Sequence, residues 1–169
     1  MKVFGITGSK NSGKTTLCER LIKEFHGQGY RVSVVKTSEK SLVDAGGSDA
    51  GTHLAAGAME FVESSPEGFS MTHALRGAPE PQLDFYLPRM AAADLVLVDG
   101  YMKPCHPRLE CRRGGQRRED LSQSYAKVVA IAADFPIEHD LPVFDLNDIA
   151  GLAKFVMKEA RNVRRPSQR

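Results

Sequence analysis

The chain has 169 residues, 41% of them hydrophobic and 26% charged, which suits one domain that buries a continuous core without disulfides or a structural metal and excludes extended disorder over most of its length. Lys and Arg number 23 against 21 acidic residues, a formal net charge of +2; this excludes wholesale coating of nucleic acid and leaves charge to be read locally. No apolar run reaches the length of a membrane span, and no leader pattern opens the chain, because the first apolar stretch ends before Gly8.

Cys18, Cys105 and Cys111 are an odd count at spacings that match no disulfide framework, which fits a reducing compartment and a cytoplasmic protein. Cys105, His106 and Cys111 lack a fourth ligand at a recognised zinc spacing, so the cysteines read as free thiols.

Residues 2–7 form a short apolar run ending in a glycine-rich turn, the pattern of a buried parallel strand. Leu17, Leu21 and Phe25 recur every four residues beside Cys18 and Ile22, which predicts a helix over 14–28 closed by Gly27 and Gly29. Val32, Val34 and Val35 mark a second strand over 31–36, completing a βαβ unit. A polar loop follows over 37–48, then a small-residue helix over 48–56 with Ser48 or Asp49 as N-cap. Strands are expected over 58–63 and 69–75, and a short helix over 82–90 after Pro79 and Pro81.

Residues 94–100 carry a clearer signal: four consecutive aliphatics between Asp94 and Asp99 suit a central strand buried on both faces. Further strands are expected over 108–112, 128–132 and 142–145, the first two separated by a polar, basic loop. Ile149, Leu152, Ala153, Val156 and Ala160 predict a last helix beginning near Asn147 or Asp148. The basic segment 161–169 lacks an apolar repeat with which to dock and reads as frayed.

Between the first strand and the first helix, Gly8-Ser9-Lys10-Asn11-Ser12-Gly13-Lys14-Thr15 satisfies the phosphate-binding P-loop pattern G-x-x-x-x-G-K-S/T. Its glycines let successive backbone N–H groups converge on one concavity, where a phosphate also meets the positive end of the following helix. Gly8, Asn11, Ser12, Gly13, Lys14, Thr15 and Thr16 are therefore the candidate nucleotide-binding residues. Lys14 supplies charge to the β- and γ-phosphates, and the Thr15 hydroxyl is a candidate Mg²⁺ ligand. Asp99, ending the buried strand, is the candidate second carboxylate for Mg²⁺, the alternative being a turn acid before Gly100. Asp44 and Asp49 lie where a switch-like segment would approach the γ-phosphate, or act as helix caps. Lys14, Asp49 and Asp99 are the candidate catalytic set, and Thr15 and Asp99 the candidate metal ligands. These elements predict an α/β P-loop NTPase three-layer fold with a mostly parallel central sheet flanked by helices. Residues 1–161 read as a single nucleotide-binding domain and 162–169 as a flexible basic tail.

Arg108, Arg112, Arg113, Arg117 and Arg118 fall within 11 residues around Gly114 and Gly115. They suggest a mobile basic loop for a phosphorylated ligand or an acidic partner, or else a solvated strand edge. No N-K-x-D sequence occurs, so spacing alone does not name the base.

The ordered set of segments resembles the molybdopterin-guanine dinucleotide biosynthesis protein B (MobB) family. The resemblance is carried by the P-loop through Thr16, Val34-Val35-Lys36, Asp44 with Gly47-Ser48-Asp49, Ala56-Gly57-Ala58, and Asp94 through Asp99-Gly100-Tyr101. Toward the C-terminus it continues through Pro107 to Glu110, Val129 to Ala132 with Asp134, and Phe144 to Leu152. Members often carry His where this chain has Thr37, Glu-Gly-Phe at Asp99-Gly100-Tyr101, and Ser at Ala50; Asp for Glu keeps the carboxylate and shortens its reach.

The resemblance implies a homodimeric P-loop protein that binds GTP with Mg²⁺ and hydrolyses it weakly. It also implies assistance to the transferase that joins GMP to molybdopterin, with molybdopterin-dependent enzymes as further partners and a molybdopterin-type phosphorylated ligand. Neither nucleic acid nor membrane is an expected partner. Two other classes stay open on the residues alone: a small-molecule kinase with the arginine segment as its lid, and a pure adaptor in which bound nucleotide only sets conformation.

Overall fold

In this computed structural model the structure describes residues 1–38, 48–100, 106–115, 120–125 and 127–163. In chain order the elements are β1 (Lys2–Thr7), α1 (Lys14–Gly27), β2 (Val32–Lys36), α2 (Asp49–Ala55), β3 (Glu60–Ser65), β4 (Gly68–His73), α3 (Leu83–Tyr86) and a 3-10 turn (Leu87–Arg89). They continue with β5 (Leu95–Asp99), β6 (Arg108–Arg112), α4 (Leu121–Ser124), β7 (Val128–Ala133), β8 (Val143–Asp145), α5 (Ile149–Glu159) and β9 (Arg161–Asn162). Packing sorts them into two compact units, one made of Met1–Thr37 with Leu87–Arg169 and the other of Ser38–Tyr86.

The first unit is built on a mostly parallel seven-stranded sheet in the order β2-β5-β1-β6-β7-β8, with β9 added beside β1. Every residue of β5 is buried, as its unbroken aliphatic run requires, and the strand lies between β2 and β1. The parallel register sets Ile6 and Lys36 on either side of Asp99, so the carboxyl ends of three strands finish together. In an open α/β sheet this is the edge where ligands bind.

Phe4, Ile6, Leu95, Leu97, Leu109, Ala130 and Ala132 form the core with Leu17, Leu21 and Phe25 of α1 and Leu152, Ala153 and Val156 of α5. Removing a Leu or Phe side chain of this kind from water contributes roughly 1.5–3 kcal/mol. The stripe that the periodicity predicts on α1 is the one that is buried. Asp148 caps α5 by accepting the Gly151 N–H at 2.9 Å, which fixes the helix start near the expected position.

Gly5 lies where β1 passes closest to its neighbours: a Cβ there would sit 2.8 Å from His106 Nε2 and 2.9 Å from Arg108 Cβ. Both neighbours are 1% exposed, and burial, with the charges of Arg108 and Arg161 behind it, pushes the His106 imidazole down to about 4. Gly5→Ala is expected to cost ~1–3 kcal/mol by overpacking, read as a fall of several degrees in the thermal midpoint. An unchanged midpoint would contradict this packing.

The second unit holds α2 and a β3–β4 hairpin. Ser48, not Asp49, is the N-cap of α2, its Oγ accepting the Gly51 N–H at 3.1 Å. His53 stacks on Phe61 at 5.4 Å between ring centroids, and Arg76 Nη2 donates to the carbonyls of Leu54 and Ala58 at 3.2 and 3.0 Å. In the hairpin Val62 pairs with Met71, and Ser64 with Phe69, so Val62, Met71 and Phe69 share an exposed apolar face.

Three expectations shift. The strands expected over 58–63 and 69–75 run over Glu60–Ser65 and Gly68–His73 and pair with each other. The loop expected after β6 contains the short helix α4. Arg161 and Asn162, expected to fray, pair antiparallel with Val3 and Lys2, and Val163 N donates to Met1 O at 2.9 Å. They dock through backbone hydrogen bonds beside the end of β1 that β6 does not cover, so no apolar repeat is needed.

Candidate functional site

The loop between β1 and α1 is shaped by close approaches that exclude side chains. A Cβ at Gly8 would lie 2.5 Å from both Cys111 O and Ser12 Oγ. Gly13, at φ +90°, is the N-cap residue before α1 and brings no side-chain cap, so the helix's first turn opens on the loop. Asn11 also adopts a left-handed conformation, at φ +63°. Lys14 folds back across the concavity, its Nζ donating to Gly8 O at 2.8 Å and Ser9 O at 2.6 Å. Ser12 Oγ is buried and has no hydrogen-bond partner among the described residues. A buried hydroxyl in that state wants an acceptor or donor beyond those residues.

The second part of the site lies one helical residue on. Thr15 Oγ1 donates to Asp99 Oδ2 at 3.2 Å, bringing the two candidate metal ligands together across 84 positions of sequence. Lys36 completes the group, with Nζ 3.5 Å from Asp99 Oδ2 and 3.4 Å from Thr15 Oγ1. Asp99 is 4% exposed, and its charge reaches Cys18, whose thiol is pushed up to about 12 by burial first and by Asp99 second. In the sequence Lys36 reads only as the end of a strand. Its placement opposite Asp99 follows from sheet order, which a single sequence does not state.

A third feature adjoins the loop. Gly13, Thr16, Leu17, Arg20, Arg113, Asp134, Leu146 and Asn147 line a cleft of about 110 Å³. Arg113 lies against Gly13, and its Nε is 3.6 Å from Asp134 Oδ2, while Asp134 Oδ1 accepts the Gly114 N–H at 2.7 Å. Larger clefts of about 480 and 560 Å³ open elsewhere, the first at the amino ends of β2 and β5, away from the P-loop. Neither receives a strand's carboxyl end, so the smaller cleft is the one that belongs to the site.

The expectation of a mobile basic loop fails at Arg108 and Arg112. Arg108 is 1% exposed within β6. Arg112 makes a fork to buried Glu110, at 2.9 and 2.8 Å, and reaches Asp120 at 2.5 Å. Glu110 also accepts the N–H groups of Leu121 and Ser122, so these charges hold α4 to the sheet and do not form a mobile basic loop. Strand alternation is the physical reason: residues 108, 110 and 112 project to one face, and that face is covered. Arg113 alone of the described arginines in this segment stays half exposed, beside the P-loop. Arg117, Arg118, Asp44, Tyr101 and Cys105 lie outside the described residues. Asp49 is the exposed first residue of α2. Cys18 and Cys111 are free and buried, and the Cys111 thiol donates to Ser12 O at 2.9 Å.

The P-loop geometry is shared by many nucleotide-binding proteins; the family is decided by comparison along the whole chain. The profile of the family described as molybdopterin guanine dinucleotide synthesis protein B matches residues 3–134, from β1 to the end of β7. This chain belongs to the MobB family. A molybdopterin-guanine dinucleotide biosynthesis adapter protein of Haemophilus influenzae is 32% identical over 158 residues, 91% of this chain and 86% of that protein. The Escherichia coli protein of the same name is 31% identical over 152 residues, 87% and 86% of the two chains. Among solved structures, a MobB homolog from Bacillus stearothermophilus superposes with a TM-score of 0.67 at 29% identity, covering 94% of this chain and 97% of its own. Bacillus subtilis MobB gives a TM-score of 0.72 at 21% identity over 96% of this chain, a likeness of fold. The MobB match takes in the P-loop, Lys36, Asp99 and Asp134, which are the residues that build the site described above.

Proposed function

We propose that this chain is a GTP-binding adapter of molybdenum cofactor biosynthesis that assists the enzyme converting molybdopterin to molybdopterin guanine dinucleotide, with weak GTP hydrolysis of its own. The pathway is supported by family membership and by the adapter names of both curated relatives. The nucleotide is supported above all by one observation: Ser12 Oγ is buried without a partner among the described residues, beside the uncapped first turn of α1 and the Lys14 ammonium. Those are the donors that a phosphate chain satisfies.

In this reading Gly8, Asn11, Ser12, Gly13, Lys14, Thr15 and Thr16 bind the phosphates. Thr15 and Asp99 would hold Mg²⁺, since oxygen donors suit a hard divalent cation. Bound there, Mg²⁺ would supply charge neutralisation to the nucleotide's phosphates. Asp49, the exposed first residue of α2 after the Ser48 cap, is carried as the proposed hydrolysis-side carboxylate. Guanine is favoured over adenine by Asp134 in the adjoining cleft. A carboxylate only accepts hydrogen bonds, and guanine presents adjacent N1–H and N2–H donors where adenine presents an N1 acceptor.

The exposed apolar face of Val62, Phe69 and Met71 supports a homodimer, and buried free thiols at Cys18 and Cys111 support a cytoplasmic setting. No helix among the described residues is long and apolar enough to cross a membrane. A small-molecule kinase is disfavoured, because lid arginines must be free to close on the transferring phosphoryl group, whereas Arg108 is buried and Arg112 is held by Glu110 and Asp120.

Calorimetric titration with GTP and with ATP in Mg²⁺, together with GDP release in the presence of phosphoryl acceptors, tests the reading. GTP is expected to bind at least about tenfold more tightly than ATP, the worth of one charge-assisted hydrogen bond, with Asp134→Asn narrowing the gap. Acceptor-dependent GDP formation would overturn the adapter in favour of the kinase.

A further inference from the structure

Asp99 ends a strand buried along its whole length and is itself 4% exposed. An ionised carboxylate there needs a counter-charge. Among the described residues Lys36 supplies it: β2 and β5 pair with Lys36 opposite Asp99, and the ammonium stands 3.5 Å from Asp99 Oδ2 and 3.4 Å from Thr15 Oγ1. The ammonium thus lies against both oxygens assigned above to the divalent cation. The Lys36 side chain is 56% exposed, so rotation of its stem takes the charge into water without disturbing the core.

We propose that Lys36 is a tethered cation that holds the metal position of the nucleotide-free protein and yields it when a divalent cation arrives with the nucleotide. The proposal rests on reading Thr15 and Asp99 as the metal side of the site. A monovalent and a divalent cation within a few ångströms of the same two oxygens repel strongly at the low effective dielectric of a partly buried pocket, so the two exclude one another. Lys36 therefore keeps Asp99 satisfied while the site is free and keeps the divalent cation out until phosphates bring it. Because linkage is reciprocal, removing the ammonium must tighten the metal.

The test compares wild type with Lys36→Met and Lys36→Arg in two measurements: thermal unfolding of nucleotide-free protein in EDTA and in MgCl₂ alone, and the Mg²⁺ concentration that half-saturates GTP binding. Lys36→Met is expected to melt below wild type in EDTA and to recover in MgCl₂ alone. It should also need at least about fivefold less Mg²⁺ for GTP binding, a coupling at the lower end of the usual range. Lys36→Arg, which keeps the charge, should stay near wild type in both. An ion pair with only a structural role would lower the melting point and leave the Mg²⁺ requirement unchanged, and a phosphate-binding role would raise it; either result overturns the proposal. Wild type that binds GTP with Mg²⁺ while Lys36→Met shows the same requirement refutes the role of Lys36 alone. Wild type that binds no nucleotide removes the site reading and this inference together.

Discussion

Lys14→Ala is expected to reduce GTP affinity by at least about tenfold for each hydrogen bond to phosphate that the ammonium would make, because charge-assisted hydrogen bonds contribute ~1.5–3 kcal/mol each. The ammonium is held at the loop by the carbonyls of Gly8 and Ser9, and phosphate oxygens compete for the same donors. The hydrophobic core lies below the loop, among Phe4, Leu17, Leu97 and Leu152, so the thermal midpoint should change much less than the affinity. Binding within about a factor of two of wild type, measured by calorimetry on folded protein, would remove the phosphate role of the loop.

Asp99→Asn carries the second large effect. The substitution keeps the shape that accepts from Thr15 Oγ1 and removes the charge that faces Lys36. The expected result is a half-saturating Mg²⁺ concentration at least about tenfold higher and a matching fall in GTP hydrolysis at limiting Mg²⁺, since a hard divalent cation loses its anionic donor. Affinity for GTP in EDTA should change little or improve. Equal Mg²⁺ dependence in the two proteins would return Asp99 to the role of a strand-ending acid.

The parts legible in the sequence are those whose signal is local. The aliphatic run of β5, the four-residue stripe of α1 and the glycines and lysine of the P-loop each require one conformation from neighbouring residues, and each stands where its pattern puts it. The arginines between residues 108 and 118 suggest a patch by their spacing alone, whereas β6 imposes its alternation on Arg108 and Arg112. Glu110 between Arg108 and Arg112 is the available sign, a carboxylate on the same strand face as the two cations. Other features depend on which strands become neighbours. Lys36 meets Asp99 because β2 pairs with β5, and Arg113 meets Asp134 because β6 pairs with β7. The hairpin of β3 and β4 has one solvated face bearing Val62, Phe69 and Met71, so its alternation is weak and its strands lie a residue or two from the expected bounds.

A nucleotide-responsive adapter is tested most directly by co-purification with the GMP-transferring enzyme of the pathway in GTP with Mg²⁺, in GDP with Mg²⁺, and without nucleotide. The expected result is a complex that forms best with GTP and is lost in the Lys14→Ala variant under the same conditions. Association that is equal in all three nucleotide states and intact in Lys14→Ala would contradict it.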